Sequence, residues 1–230
     1  MFKQTQYLIA AILVVFSFQM NAQSTTFGVR GGTTFNTISQ TQLVDAVTPD
    51  FDYLIGFSGA VYAEVPIGQT LAFQPELAFS QKGFSLAQGT NIDLFGATLP
   101  VGVRANTQFN YLEAPLLMKA KFGSEQVKAF VMAGPALGYA MNGRVRTQSS
   151  GILEFQLSNN TIDLDAINYE RFEFSGVVGA GVQIDAGFGN ITLDGRYQQG
   201  FTELYDIPLV SERVKNRGFA INAGVSIPLN

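Results

Sequence analysis

Hydrophobic and polar positions alternate with a period of two along most of this chain, in blocks separated by breaks. The C-terminal block shows this most cleanly. Phe219, Ile221, Ala223, Val225, Ile227 and Leu229 fall on one side, and Ala220, Asn222, Gly224, Ser226 and Pro228 on the other. Successive side chains of a strand point to opposite faces, so this block predicts a strand with one apolar face and one small or polar face. The same alternation predicts strands over 27–36, 57–65, 71–80, 111–122, 131–139, 172–185 and 191–198, making eight in all. Blocks 111–122 and 131–139 are the least regular, because Leu117 and Phe130 fall among polar positions. Pro75, Pro115 and Pro135 lie inside predicted strands. Each removes a ladder donor, which predicts bulges or local bends at those points.

The breaks alternate in length. Short ones fall near 67–69, 123–126 and 186–189, and long ones at 37–53, 85–106, 142–169 and 203–216. Short turns alternating with long loops, with an even strand count, is the pattern of an outer-membrane barrel with its short turns in the periplasm. The expected fold is therefore all-β: an eight-stranded antiparallel up-and-down transmembrane β-barrel. Both termini then lie on the periplasmic side and the long loops outside the cell. A soluble lipocalin-like barrel would need an apolar interior and a polar exterior, the opposite of this reading.

The first 22 residues fit none of these blocks. Lys3 is followed by an apolar run over 7–18 and by Met20-Asn21-Ala22, which ends on a small residue. The run is too short to span a bilayer as a helix and reads as a secretory signal, leaving 23–230 as the barrel domain. Loss of Lys3 with it takes the net charge from −4 to −5.

Composition agrees with a lipid-facing wall. Charged residues are 14% of the chain, against about 25% in a typical soluble domain. The 14 Lys and Arg and 18 Asp and Glu form no basic stripe, which argues against nucleic-acid binding. Cysteine is absent, so disulfides and thiolate metal sites are excluded. Histidine is absent too, which removes the commonest general base and the commonest zinc ligand.

The remaining chemistry lies on the polar faces. Alternation turns Arg30, Glu64, Glu76, Glu113, Lys119, Lys121, Asp194 and Arg196 inward. An eight-stranded barrel is just wide enough for side chains to fill it. Charges of both signs inside it predict an ion-pair network that plugs the lumen, since an unpaired buried charge is costly. The competing reading is a narrow polar conduit. A carboxylate pair of Glu76 and Glu113 is the one arrangement that suggests catalysis, of glycosidic type, and the ion-pair reading outweighs it. Gly179-Ala180-Gly181 lacks the Lys-Ser/Thr of a phosphate cradle. Asp163 and Asp165 lack the glycine turn and closing Glu of a calcium loop. Phe35, Tyr53, Phe84, Phe109, Tyr139, Tyr169, Phe172, Phe201 and Tyr205 lie near strand ends and predict an aromatic girdle at the outer rim.

Several stretches together resemble the outer-membrane β-barrel domain family of Bacteroidetes, often labelled porin family proteins. They are Phe27-Gly28-Val29-Arg30-Gly31-Gly32, Pro75-Glu76-Leu77 with Gln81-Lys82-Gly83, Tyr111-Leu112-Glu113-Ala114-Pro115-Leu116-Leu117-Met118-Lys119, Ala133-Gly134-Pro135-Ala136-Leu137-Gly138-Tyr139, and Gly218-Phe219. Their order covers essentially the whole of 23–230. The chain departs from the pattern at its end, which is Pro228-Leu229-Asn230 where such barrels often finish on an aromatic residue. The resemblance implies an outer-membrane location and a barrel, and it admits PorT-like components of protein secretion. It does not imply one activity, because such barrels host many roles. The expected protein is a non-enzymatic, monomeric barrel without cofactor or metal. Its partners are outer-membrane lipid and outer-membrane or periplasmic proteins.

Overall fold

The computed structural model describes residues 25–39, 51–94, 97–150, 156–164, 166, 169–202 and 215–229. The expected signal over 1–22, Asp165, Tyr205 and much of the first and fourth long loops lie outside the described residues.

Eight strands close into a ring. They are β1 (Thr26–Ser39), β2 (Phe51–Pro66), β3 (Leu71–Leu94), β4 (Ala97–Gly123), β5 (Val127–Ser150), β7 (Phe172–Asp185), β8 (Asn190–Gly200) and β9 (Lys215–Pro228). Each pairs antiparallel with its neighbours, β4 with β5 and β1 with β9 completing the circle. A closed ring leaves no unpaired edge, which a lipid environment demands. The parity that separates apolar from polar residues also separates the two faces. Val29, Phe57, Leu77, Val131, Val178, Leu193 and Ile221 are exposed on the outside, while Ser58, Glu76, Lys119, Asp194 and Asn222 are buried inside.

Three features differ from the alternation reading. First, the long breaks at 85–106 and 142–169 are largely strand. β3 and β4 continue as a paired hairpin to Leu94↔Ala97, β5 runs on to Ser150, and a ninth strand, β6 (Gln156–Ile162), pairs with the end of β5. The extension of β5 carries no apolar stripe and reads as loop, but that of β4 alternates Ala97, Leu99, Val101, Val103 and Ala105 with Thr98, Pro100, Gly102, Arg104 and Asn106, so the loop reading of 85–106 passes over a strand pattern present in the sequence. Second, none of the three prolines shifts the register. Pro75 lies opposite Leu116, Pro115 opposite Ala136 and Pro135 opposite Gly176; pairing lapses at Glu76 and Leu77 and at Leu116 and Leu117, then resumes in the same register. The irregularities fall instead in β2 between Tyr53 and Ser58, where β4 and β5 pair near Asn110 and Tyr111, and between Thr147 and Gln148 where β5 pairs with β6. Third, the aromatic girdle is incomplete. Tyr53, Tyr139, Phe172 and Phe201 face outward, but Phe109 and Tyr169 are buried inside the barrel, with Phe84 packed against them.

The short connections lie at one end. Gly123 ends β4 at φ 129°, a conformation open to glycine, and Ser124 N–H donates to Val127 O to close the turn. The lumen charges are strung between that end and the extended hairpins.

Candidate functional site

The lumen is filled by side chains in three polar layers under an aromatic cap. Each layer draws inward-facing residues from several strands, placed by the period-two pleat.

At the short-turn end, Lys119 Nζ of β4 donates to Glu64 Oε2 of β2 at 2.7 Å and to Gln183 Oε1 of β7 at 3.1 Å. Lys121 also pairs with Glu64. The Lys119 ammonium lies 4.0 Å from the centre of the Phe130 ring, a cation–π contact. Phe130 belongs to an apolar wedge with Leu117, Met132, Ala136 and Val177. That wedge accounts for the two residues that broke the alternation: one wall of the lumen is apolar.

The middle layer centres on Glu76. Arg30 reaches its Oε2 from Nε at 2.9 Å and from Nη2 at 2.7 Å, and Arg196 Nη1 reaches both oxygens at 2.9 Å. Gln74 Nε2 adds a bond of 2.7 Å. Arg196 Nε donates to Asp194 at 2.7 Å, and Asn222 bridges Asp194 to Arg30 and Ser58. Charge-assisted bonds of this kind are the strong ones.

The third layer holds Lys82 between two carboxylates, Glu113 at 2.8 Å and Glu173 at 3.0 Å. Gln198 donates to Glu113 at 2.7 Å and Asn216 to Glu173 at 2.8 Å. Above it, Tyr169 stacks on Phe109 with ring centres 4.6 Å apart, and its hydroxyl meets that of Tyr111 at 2.5 Å.

The structure brings all eight predicted inward charges into these ion pairs: Arg30, Glu76, Asp194 and Arg196 in the middle layer, Glu64, Lys119 and Lys121 below, Glu113 above. Glu76 and Glu113 sit in different layers, each held by its own cations, and do not form a pair. Lys82 and Glu173 were missed. Glu173 lies on the polar side of its block, and Lys82 shares the parity of Glu76 and Ser80, so continuing the alternation two residues further finds it. The cations Arg30, Lys82, Lys119, Lys121 and Arg196 balance the carboxylates Glu64, Glu76, Glu113, Glu173 and Asp194. That balance offsets a desolvation cost of several kcal/mol per ion. An internal space between the middle and upper layers has a volume of about 40 Å³, room for a few water molecules at roughly 10–15 Å³ each.

A closed antiparallel barrel with an apolar outer wall and a charged interior defines an integral outer-membrane β-barrel protein. The chain belongs to the outer membrane protein beta-barrel domain family, whose model matches residues 21–206. Among solved structures it is similar to Neisserial surface protein A, at 14% identity over 88% of this chain and 97% of that one, with a TM-score of 0.47. It is similar to Ail, the attachment invasion locus protein of Yersinia pestis, solved with the heparin analogue sucrose octasulfate, at 15% identity over 89% and 100%, TM-score 0.42. It is also similar to OprG from Pseudomonas aeruginosa, at 9% identity over 91% and 99%, TM-score 0.44. Among curated proteins, none matches this sequence.

Proposed function

We propose that this protein is a non-enzymatic outer-membrane barrel that acts as an anchor and binding platform. On this reading its lumen is a structural plug and its function lies at the end bearing the extended hairpins, which faces outside the cell. One observation carries the reading: each of the three polar layers of the lumen is spanned by mutually paired charges. A hydrated ion needs a continuous polar path, and a filled eight-stranded barrel offers none. Among the described residues, the lumen carboxylates Glu64, Glu76, Glu113, Glu173 and Asp194 are each engaged in an ion pair with Arg or Lys.

Planar-bilayer recording of the purified protein tests the plug. The expected trace shows no stable openings, and reproducible single-channel steps overturn it in favour of a narrow pore. The orientation has its own test, made clean by the absence of native cysteine. A membrane-impermeant maleimide added to intact cells is expected to label Asn160→Cys, in exposed β6, and not Gly68→Cys, in the exposed β2–β3 turn. The reverse labelling overturns the orientation.

A further inference from the structure

One outer face above the apolar wall is basic. Strand β5 contains no Asp or Glu along its length. Its outward positions pass from apolar to cationic: Leu137, Tyr139 and Met141 are exposed, and beyond them so are Asn142, Arg144 and Arg146. The register sets Arg144 between Gln108 of β4 and Thr161 of β6, and Arg146 between Asn106 and Asn159. Side-chain amides link the two strands: Gln108 donates to Asn110 at 3.1 Å, and Asn110 to Asn142 at 2.6 Å. Among the described residues no carboxylate pairs with Arg144 or Arg146. The lumen charges all find partners, so two unpaired guanidiniums on one face stand apart.

Their height indicates what they meet. Arg144 follows Met141, the last apolar outward residue of β5, by three residues. That is roughly 10 Å of strand at ~3.3 Å per residue, or roughly 8 Å of height at a tilt of ~40°. The polar layer of a bilayer extends about 5–8 Å beyond its hydrocarbon on each side. Arg144 therefore lies at the level of lipid phosphates, and Arg146 lies roughly 5 Å higher by the same spacing and tilt. A guanidinium matches a phosphate with a planar pair of donors. The amides and hydroxyls beside it suit sugar hydroxyls, which both donate and accept. A glycerophospholipid ends near the first arginine, whereas a phosphorylated saccharide headgroup spans both.

We propose that the outward face of β4, β5 and β6 binds the phosphorylated sugar headgroup of a glycolipid in the surrounding leaflet, with Arg144 and Arg146 taking the phosphates. The proposal rests on the orientation given above, with this end outward. It is tested by native mass spectrometry of the full-length barrel in detergent, titrated with a bis-phosphorylated glucosamine disaccharide lipid. The wild type retains the lipid. Arg144→Glu with Arg146→Glu lowers retention about tenfold or more, the equivalent of losing about one charge-assisted contact. Arg144→Lys with Arg146→Lys retains part of it, and Lys128→Glu at the short-turn end changes nothing. Unchanged heat-modifiable gel migration shows that the variants are folded. Equal retention by the Glu variant overturns the proposal. So does equal retention of phosphatidylglycerol, or displacement by inorganic phosphate alone. Binding in detergent does not depend on which end faces outward, so an error of orientation shows only in the cysteine labelling.

Discussion

Glu76 concentrates the energetics of the lumen in one side chain. Its carboxylate is fully buried and accepts from Arg30, Arg196 and Gln74. Replacing it by Gln keeps the shape and removes the charge, leaving two guanidiniums in a site with little water. Breaking a buried pair in this way costs about 3–5 kcal/mol. Glu76→Gln is therefore expected to lower the urea midpoint of the barrel in lipid vesicles, read by the gel shift between folded and unfolded forms. A variant as stable as wild type shows that Asp194 and water compensate both arginines. Much of this site was legible from parity alone, because the pleat gives each charge only two directions and lipid excludes one. Residue type and parity disagree at Phe109: an aromatic near a strand end predicts an outer girdle, but its place two residues from Tyr111 puts it on the inward face of β4, where it is buried. Tyr169 belongs to no alternating block of the sequence, so parity gives it no direction.

At the scale of the strand, the end of the lipid-facing stripe does not mark the end of the strand. β3, β4 and β5 keep pairing past the apolar wall. Along β5 no stripe continues, so 142–150 reads as loop, whereas in the hairpin over 85–106 Leu99, Val101 and Val103 still alternate with Pro100, Gly102 and Arg104, and the strand was legible there. Proline misleads in the opposite direction. Loss of one donor does not require an extra residue: pairing lapses where Glu76 and Leu77 oppose Pro115 and Ala114, then resumes in the same register at Ala78↔Glu113. Two glycines test how strongly the faces differ. A Cβ on Gly181 of β7 would meet the Leu193 carbonyl oxygen first and lie 2.7 Å from the Phe130 ring, whereas one on Gly195 of β8 meets nothing within 4 Å. Gly195→Val, facing lipid, is expected to be neutral or to stabilise the barrel by up to about 1 kcal/mol. Gly181→Val is expected to cost about 1–3 kcal/mol through overpacking. Refolding yield and urea midpoint check both, and equal effects would show that neither face discriminates.

For the whole molecule, closure and filling are one property: the ring fixes the girth, and the girth decides whether side chains can seal it. Eight blocks with alternating short and long breaks were enough to read the ring from the sequence. The depth of the seal was not, because layering depends on which inward residues share a height, and shear sets that across strands. The layers stack in series, Glu64 with Lys119 and Lys121 below, Glu76 with Arg30 and Arg196 in the middle, Glu113 and Glu173 with Lys82 above. Barriers in series have a definite consequence: removing one leaves the others closed. The triple variant Arg30→Ala, Glu76→Ala, Arg196→Ala is thus expected to stay silent in planar bilayers although its middle layer is gone. Adding Glu64→Ala and Lys119→Ala removes the ion pairs of the lower layer too, leaving the Phe130 wedge, the Lys82 layer and the Phe109–Tyr169 cap as the remaining obstruction. That variant is expected to stay silent too, and brief, small steps are expected only when Lys82→Ala, Glu113→Ala and Glu173→Ala remove the last charged layer as well. Steps already present in the triple variant would show that the Glu76 layer alone seals the barrel.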